Sequence, residues 1–305
     1  MNTAELSTII AAATPLLLAA LGELVVEKAG VLNLGIEGMM LVGAIVGFIM
    51  ALGGQPAVAC FIAAALAAVA MSLIFAFLVL ILRANQVATG LALAIFGTGL
   101  SSTVGAAFVG QPIDGLAKVS IPVLSDIPLV GKVLFAQDYI VYLSLIILVA
   151  VMFFLYRTKA GLVLRGVGEN HTAAYALGHR VITVRFAAIA FGGAMAGIAG
   201  AYMSLVSPHL WTLGLTAGRG WIALALVVFA AWRPLRLLVG AYFFGAISVL
   251  QYSFQHSDII QVPSQVWAML PYLATIIVLV VISNRKAGSN LNAPADLGKP
   301  FIPNS

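Results

Sequence analysis

Charge is scarce in this chain. Of its 305 residues 8% are Asp, Glu, Lys or Arg and 62% are hydrophobic, and the mean hydropathy is +1.11. An ordinary soluble domain is roughly 25% charged and about 45–50% apolar. Fifteen basic and ten acidic side chains cannot cover a water-facing surface of this size, so a soluble fold is excluded over most of the length. Cysteine is scarcer still. The single Cys60, in an Ala-rich apolar run, excludes an intrachain disulfide framework and a cysteine metal cluster, and reads as a small packing residue. The four histidines, His171, His179, His209 and His256, show no H-x-x-x-H spacing and are expected to be solvated in loops, so no metal site is expected. There is no G-x-x-x-x-G-K-[ST] phosphate loop, Gly166-Val-Gly168 being too short to count. No nucleotide site or other cofactor is therefore expected on this chain. The formal charge of +5 is dispersed among apolar stretches rather than gathered into a stripe, which argues against nucleic acid.

Long apolar runs are what the chain has in place of charge. A spanning helix needs about 20 mostly apolar residues, and nine windows qualify, at 7–26, 31–52, 56–82, 87–109, 138–156, 183–206, 220–232, 237–253 and 265–283. The seventh is short enough to be re-entrant. The runs are continuous rather than alternating and too long for barrel strands, and in lipid each backbone amide needs an internal partner. The expected fold is an all-α polytopic membrane protein with about nine transmembrane helices (8–10). The start lacks a basic n-region, so the first span is expected to remain as an anchor rather than be cleaved.

Lys and Arg concentrate on the cytoplasmic side of membrane proteins. With the N-terminus outside and the C-terminus cytoplasmic, Lys28, Arg83, Arg157, Lys159, Arg165, Arg180, Arg185, Arg233, Arg236, Arg285, Lys286 and Lys299 fall inside, and only Lys118, Lys132 and Arg219 outside. The transmembrane domain is therefore expected over 1–286. It has an external loop at 110–137, broken by Pro112, Pro122 and Pro128, and a basic cytoplasmic loop at 157–180. The tail, 287–305, is rich in Gly, Asn and Pro and is expected to be disordered.

The cytoplasmic loop is more than a connection. Asn170 is an N-cap candidate, His171 to Leu177 a short helix, and Gly178 a C′ stop. Such a self-capped helix outside the membrane suits docking to a cytoplasmic partner. Within the spans, Asn33 and Glu37 lie one helical turn apart near a span start. Three roles stand open for Glu37: a structural role beside a pathway, direct solute contact, or a wetted cap paired with Lys28. Glu27 next to Lys28 reads as a surface pair. Asn85, Gln86 and Thr89 open the fourth span, either as caps or as donors and acceptors for a polar solute. Gly193, Gly197 and Gly200 permit close helix approach. Trp211, Trp221, Trp232 and Trp267 fall near span ends, as interfacial aromatics do.

Several of these stretches are specific enough to carry a resemblance. The loop followed by Val181 to Tyr202 (VITVRFAAIAFGGAMAGIAGAY), together with Ala29 to Gly43 (AGVLNLGIEGMMLVG), Asn85 to Leu100 (NQVATGLALAIFGTGL), Gly218 to Phe229 and Pro271 to Val280, resembles the ABC importer permeases of the ribose, branched-chain amino acid and nucleoside type. The match runs through nearly the whole chain and is nearest the nucleoside (simple sugar) branch. The resemblance implies a transport subunit of the bacterial inner membrane, not an enzyme. It further implies a cytoplasmic ATP-binding subunit, a second permease subunit, identical or different, and an extracytoplasmic solute-binding protein, with a small polar solute as cargo and lipid around it. It also makes Gly168, Glu169, Asn170, Ala173, Ala174, Leu177 and Gly178 candidates for coupling to the ATPase. An ion-driven secondary transporter would need a buried coupling site near broken helices, and an intramembrane enzyme a catalytic set. The residues offer neither clearly.

Overall fold

The computed structural model describes residues 3–113, 119–120, 135–206, 209–255, 263, 266–267, 269–284 and 293–302. The expectations for Pro122, Pro128 and His256 fall outside these residues. The apolar windows fold into α1 (Thr3–Lys28), α2 (Ile36–Leu52), α3 (Ala57–Ala76, continued by a π-helical turn Phe77–Ile81) and α4 (Gln86–Gly105). Then come α5 (Tyr139–Arg157), α6 (Lys159–Glu169), α7 (His171–Ala176), α8 (Val181–Leu205), α9 (Arg219–Phe229), α10 (Pro234–Gln255) and α11 (Leu270–Asn284). The only strands among the described residues are β1 (Val119–Ser120) and β2 (Ala136–Gln137), an antiparallel pair within the long loop after α4.

Each of the nine apolar windows holds a helix. Six are long and apolar enough to cross a membrane: Glu5–Lys28, Ala57–Ile81, Gln86–Phe108, Tyr139–Arg157, Val181–Leu205 and Pro234–Gln251. The 17 residues of α2 and 11 of α9 are shorter apolar helices. At the ~1.5 Å rise of an α-helix, the second covers barely half a hydrocarbon core of about 30 Å.

α8 is the hub, packed along α1, α2 and α3. Its glycines make this possible. A Cβ on Gly197 would collide with the Ala64 carbonyl of α3, and one on Gly200 with the Met40 carbonyl of α2. Backbones this close exchange dispersion contacts along the whole crossing, which is how helices associate where lipid removes the hydrophobic drive. The opposite surfaces are apolar too. Leu66 on α3, Ile95 on α4, Ile146 and Val149 on α5 and Val239 on α10 are each more than 60% exposed, a distribution that suits hydrocarbon and not water.

The tail departs from expectation. Residues 287–292 and 303–305 lie outside the described residues, but 293–302 form a turn docked on α6, α7 and the end of α1, so the expected disorder is corrected there. Asp296 N donates to Gly168 O at 3.0 Å and Gly298 N to Gly30 O at 3.2 Å. Phe301 packs with Val167, Ala174 and Val181, and its ring meets His171 and Tyr175 edge-on at 5.4 Å. Composition hid this segment because its attachment uses backbone hydrogen bonds, one ring and one carboxylate rather than an apolar period.

Candidate functional site

Two polar assemblies stand out within this apolar frame. The first is built on Glu37, in the first turn of α2 and buried. Its Oε1 accepts from Thr216 Oγ1 at 2.5 Å and from Gly218 N at 2.9 Å, and its Oε2 from Gly220 N at 2.7 Å. These donors lie at the N-terminus of α9, where the first amides of any helix lack intrahelical acceptors and the dipole favours negative charge. Glu37 is thus a cap supplied across the bundle. Gly218 adopts φ +79°, and Gly220 has no room for a Cβ against the Glu37 backbone. With both oxygens committed to these donors, the carboxylate fixes the start of α9. It is neither a wetted surface group nor paired with Lys28.

The other path candidates gather beside it. Asn33 is buried; its N–H donates to Glu23 Oε1 at 3.1 Å and its Oδ1 accepts from Gly35 N at 3.0 Å. Gln86 is buried on α4 and its Oε1 accepts from Leu32 N at 2.8 Å. Asn85 caps α4 by accepting from Ala88 N at 3.0 Å, so the cap reading holds for it. Thr89 is half-buried one turn along. The structure therefore ties Asn33 and Gln86 to the turn between α1 and α2, and Glu37 to the start of α9. The Gln86 Nε2 is the one of their side-chain groups left buried and without a partner among the described residues.

The second assembly is the cytoplasmic-type loop. Asn170 caps α7 as expected, its Oδ1 accepting from Ala173 N at 2.8 Å, and Gly178 ends the turn at φ +87°. A further helix, α6, precedes it; three glycines, Gly161, Gly166 and Gly168, conceal it in the sequence. Asn170, Ala173, Leu177 and Gly178 are exposed, Leu177 by 79%. Gly168 instead packs on the Lys28 carbonyl and Ala174 lies in the small core with Phe301. Glu169 turns toward the tail, accepting from Ala295 N at 3.4 Å.

Between the loop and the bundle sits Arg185, wholly buried at the start of α8. Its Nε donates to Ala29 O at 3.1 Å and its Nη1 to Lys299 O at 3.2 Å, and its Nη2 lies 3.4 Å from His171 Nδ1. His171 in turn lies 2.8 Å from Asp296 Oδ2, and its backbone N–H donates to the same carboxylate at 2.9 Å. His171 is therefore not the solvated loop residue the sequence suggested. Burial lowers its pKa from the usual value, and the cations of Arg185 and Lys299 reinforce this against the opposing pull of Asp296. Burial alone would raise the Asp296 carboxyl, but the His171 N–H, Lys299 and the His171 charge together hold it below its ordinary value. Both groups bind protons less readily when the tail is docked, so acid favours release. Docking should be complete above about pH 6.5 and weaken as pH falls below it. Hydrogen-exchange protection of the Asp296 and Gly298 amides checks this; protection that rises on acidification would contradict it.

Sequence reasoning missed other buried polar contacts. Glu27 is not a surface pair with Lys28: it is buried and accepts from Trp232 Nε1 at 2.6 Å. Trp232 is thus removed from the interfacial set. So is Trp211, fully buried against Leu41, Ala44, Ile45 and Phe48. Charged groups in the last two turns of an otherwise apolar span are the signal that could have marked Glu23 and Glu27.

This helical frame defines a class. It resembles a chain in an inward-facing structure of a proposed metal-chelate type ABC transporter, with a TM-score of 0.51, covering 92% of this chain and 86% of that one, at 16% identity. At that identity the likeness concerns the fold alone. The sequence goes further: residues 5–280 match the family described as the branched-chain amino acid transport system / permease component, and the chain belongs to it. It is 41% identical to TsgC13 of Haloferax volcanii, a proposed glucose ABC transporter permease protein, over 96% of this chain and 95% of that one. It is 31% identical to the guanosine ABC transporter permease protein NupQ of Bacillus subtilis, over 99% of both chains. To the nucleoside ABC transporter permease protein NupC of Lactococcus lactis it is 29% identical over 88% of each. The chain is accordingly a multi-pass membrane permease subunit of an ABC transport system and not an enzyme.

Proposed function

We propose that this chain is the membrane-spanning subunit of an ATP-driven importer of nucleosides, purine nucleosides foremost, in the plasma membrane. The full-length similarity to NupQ and NupC carries the choice of cargo. Residues 1–286 form the permease domain, crossing nine times with the N-terminus outside and the C-terminus cytoplasmic, the distribution of Lys and Arg supporting this orientation. The tail, 287–305, then lies with the loop 157–180 on the cytoplasmic side. There Asn170, Ala173, Leu177 and Gly178 meet a separate ATP-binding subunit, with Gly168, Glu169 and Ala174 supporting them from behind. A second permease subunit completes the path and a solute-binding protein delivers cargo from outside. Of the path candidates, Gln86 and Thr89 keep capacity for solute, while Asn33, Glu37 and Asn85 shape the wall.

Simple sugars are the second reading, favoured by the higher identity to TsgC13. The test is ATP-dependent uptake of labelled adenosine, glucose and ribose into proteoliposomes holding the chain with its co-encoded partners. Uptake is repeated with Glu169 to Ala174 replaced by a Gly-Ser linker. Adenosine uptake that falls to background with the linker is the expected result. Uptake of sugar alone replaces the cargo, and transport indifferent to the linker removes the coupling role of α7.

A further inference from the structure

A cavity of about 870 Å³ opens where the C-terminal ends of α1 and α5 meet α6 and the turn between α9 and α10. Four cations line it, Lys28, Arg165, Arg233 and Arg236, against one carboxylate, Glu169. The remaining wall includes Met152, Tyr156, Leu162 and Leu235, and Leu162 and Leu235 are more than half exposed. The cavity is therefore cationic on one side and opens onto apolar surface on the other. Arg165, Arg233 and Arg236 take part in none of the hydrogen bonds of the two polar assemblies described above.

Arg165 gives the arrangement its direction. Its guanidinium lies 5.3 Å above the centre of the Tyr156 ring, which holds the side chain in place through the ring's negative face. Its Nε is buried and donates to nothing among the described residues. A buried N–H without an acceptor costs free energy in proportion to its lost hydration, and a planar guanidinium is suited to the oxygens of a phosphate. An acceptor small enough to reach this atom, bearing negative charge and continuous with an apolar body, satisfies every wall of the cavity.

We propose that this cavity binds the headgroup of an anionic phospholipid from the adjoining leaflet. The phosphodiester lies against Arg165 with Arg233 and Arg236 at the rim, and the acyl chains run along Leu162 and Leu235. Basic pockets between helices at the cytoplasmic membrane surface recognise such headgroups. A protein partner fits less well, because a convex protein surface would have to carry an acidic side chain to the depth of Arg165. The site rests on the chain spanning a membrane and not on its cargo, so failure of nucleoside uptake and failure of lipid binding are separate results.

Native mass spectrometry of the assembled transporter, exchanged into nanodiscs containing phosphatidylglycerol or phosphatidylcholine, tests it. The wild type should retain phosphatidylglycerol in preference, and each cation removed, as in R236Q or R165M, should lower retention about fivefold. R236Q changes an exposed side chain and so reads the site even if R165M fails to fold. R83Q, outside the cavity, should leave retention unchanged. Displacement by millimolar inorganic phosphate would identify a free-anion site instead, and equal retention of both lipids, or of phosphatidylglycerol by wild type and R236Q, would overturn the proposal.

Discussion

Replacing Glu37 by Ala should leave a permease that fails to accumulate as a folded protein, and Glu37→Gln one that folds with a markedly lower Tm. The alanine removes the acceptor for Thr216 Oγ1 and for the Gly218 and Gly220 amides together. A buried donor left without an acceptor costs about 1–3 kcal/mol, so three of them cost about 3–9 kcal/mol, comparable with the roughly 5–15 kcal/mol that holds a typical domain folded. Glutamine keeps the shape but points an amide N–H₂ at one of the three donors, a milder loss of roughly 2 kcal/mol. Thermal unfolding in detergent reads both, and a wild-type Tm for Glu37→Gln would remove the claim that the carboxylate holds α9 in place. A role in solute contact predicts the reverse pattern, normal stability with altered KM.

Arg185→Met should give the second large effect, felt at the loop and tail rather than the bundle centre. The variant keeps most of the side-chain volume but loses the bonds to Ala29 O and Lys299 O. Charge-assisted bonds contribute roughly 1.5–3 kcal/mol each, so about 3–6 kcal/mol of tail and loop fixation should go. Exchange protection at the Asp296 and Gly298 amides should collapse while α1 and α8 stay protected, and ATP-dependent uptake should fall with it. Protection that survives in Arg185→Met would mean that Phe301 and the backbone bonds hold the tail unaided.

How much of this was legible follows from how each signal is stored in sequence. Apolar length marked every helix of the bundle, and marked 220–232 as too short to be like the rest, because the requirement for internal hydrogen bonding in lipid is local. Asn170 and Gly178 were legible for the same reason, since capping acts within one turn. Glu37 was legible as unusual but not in its role, because its partners lie some 180 residues away and nothing near it names them. Glu27 misled: its neighbour Lys28 suggested a surface pair, while the carboxylate is buried and accepts from the indole of Trp232. Arg185 looked like one more orienting charge in the count of basic residues, yet it is buried among carbonyls. The coupling roles implied by the resemblance, and the path roles read from the polar residues themselves, are proposals that the uptake assay tests.

The docked segment 293–302 also redefines the interchangeable unit of this permease. The loop 157–180 looks self-contained along the chain, with its own caps at both ends, but part of its underside is built by residues more than a hundred positions later. A chimera that exchanges the loop with that of another permease should therefore carry 293–302 with it. Anything fused directly behind 293–302 would be tethered beside α7, where the loop presents its exposed face.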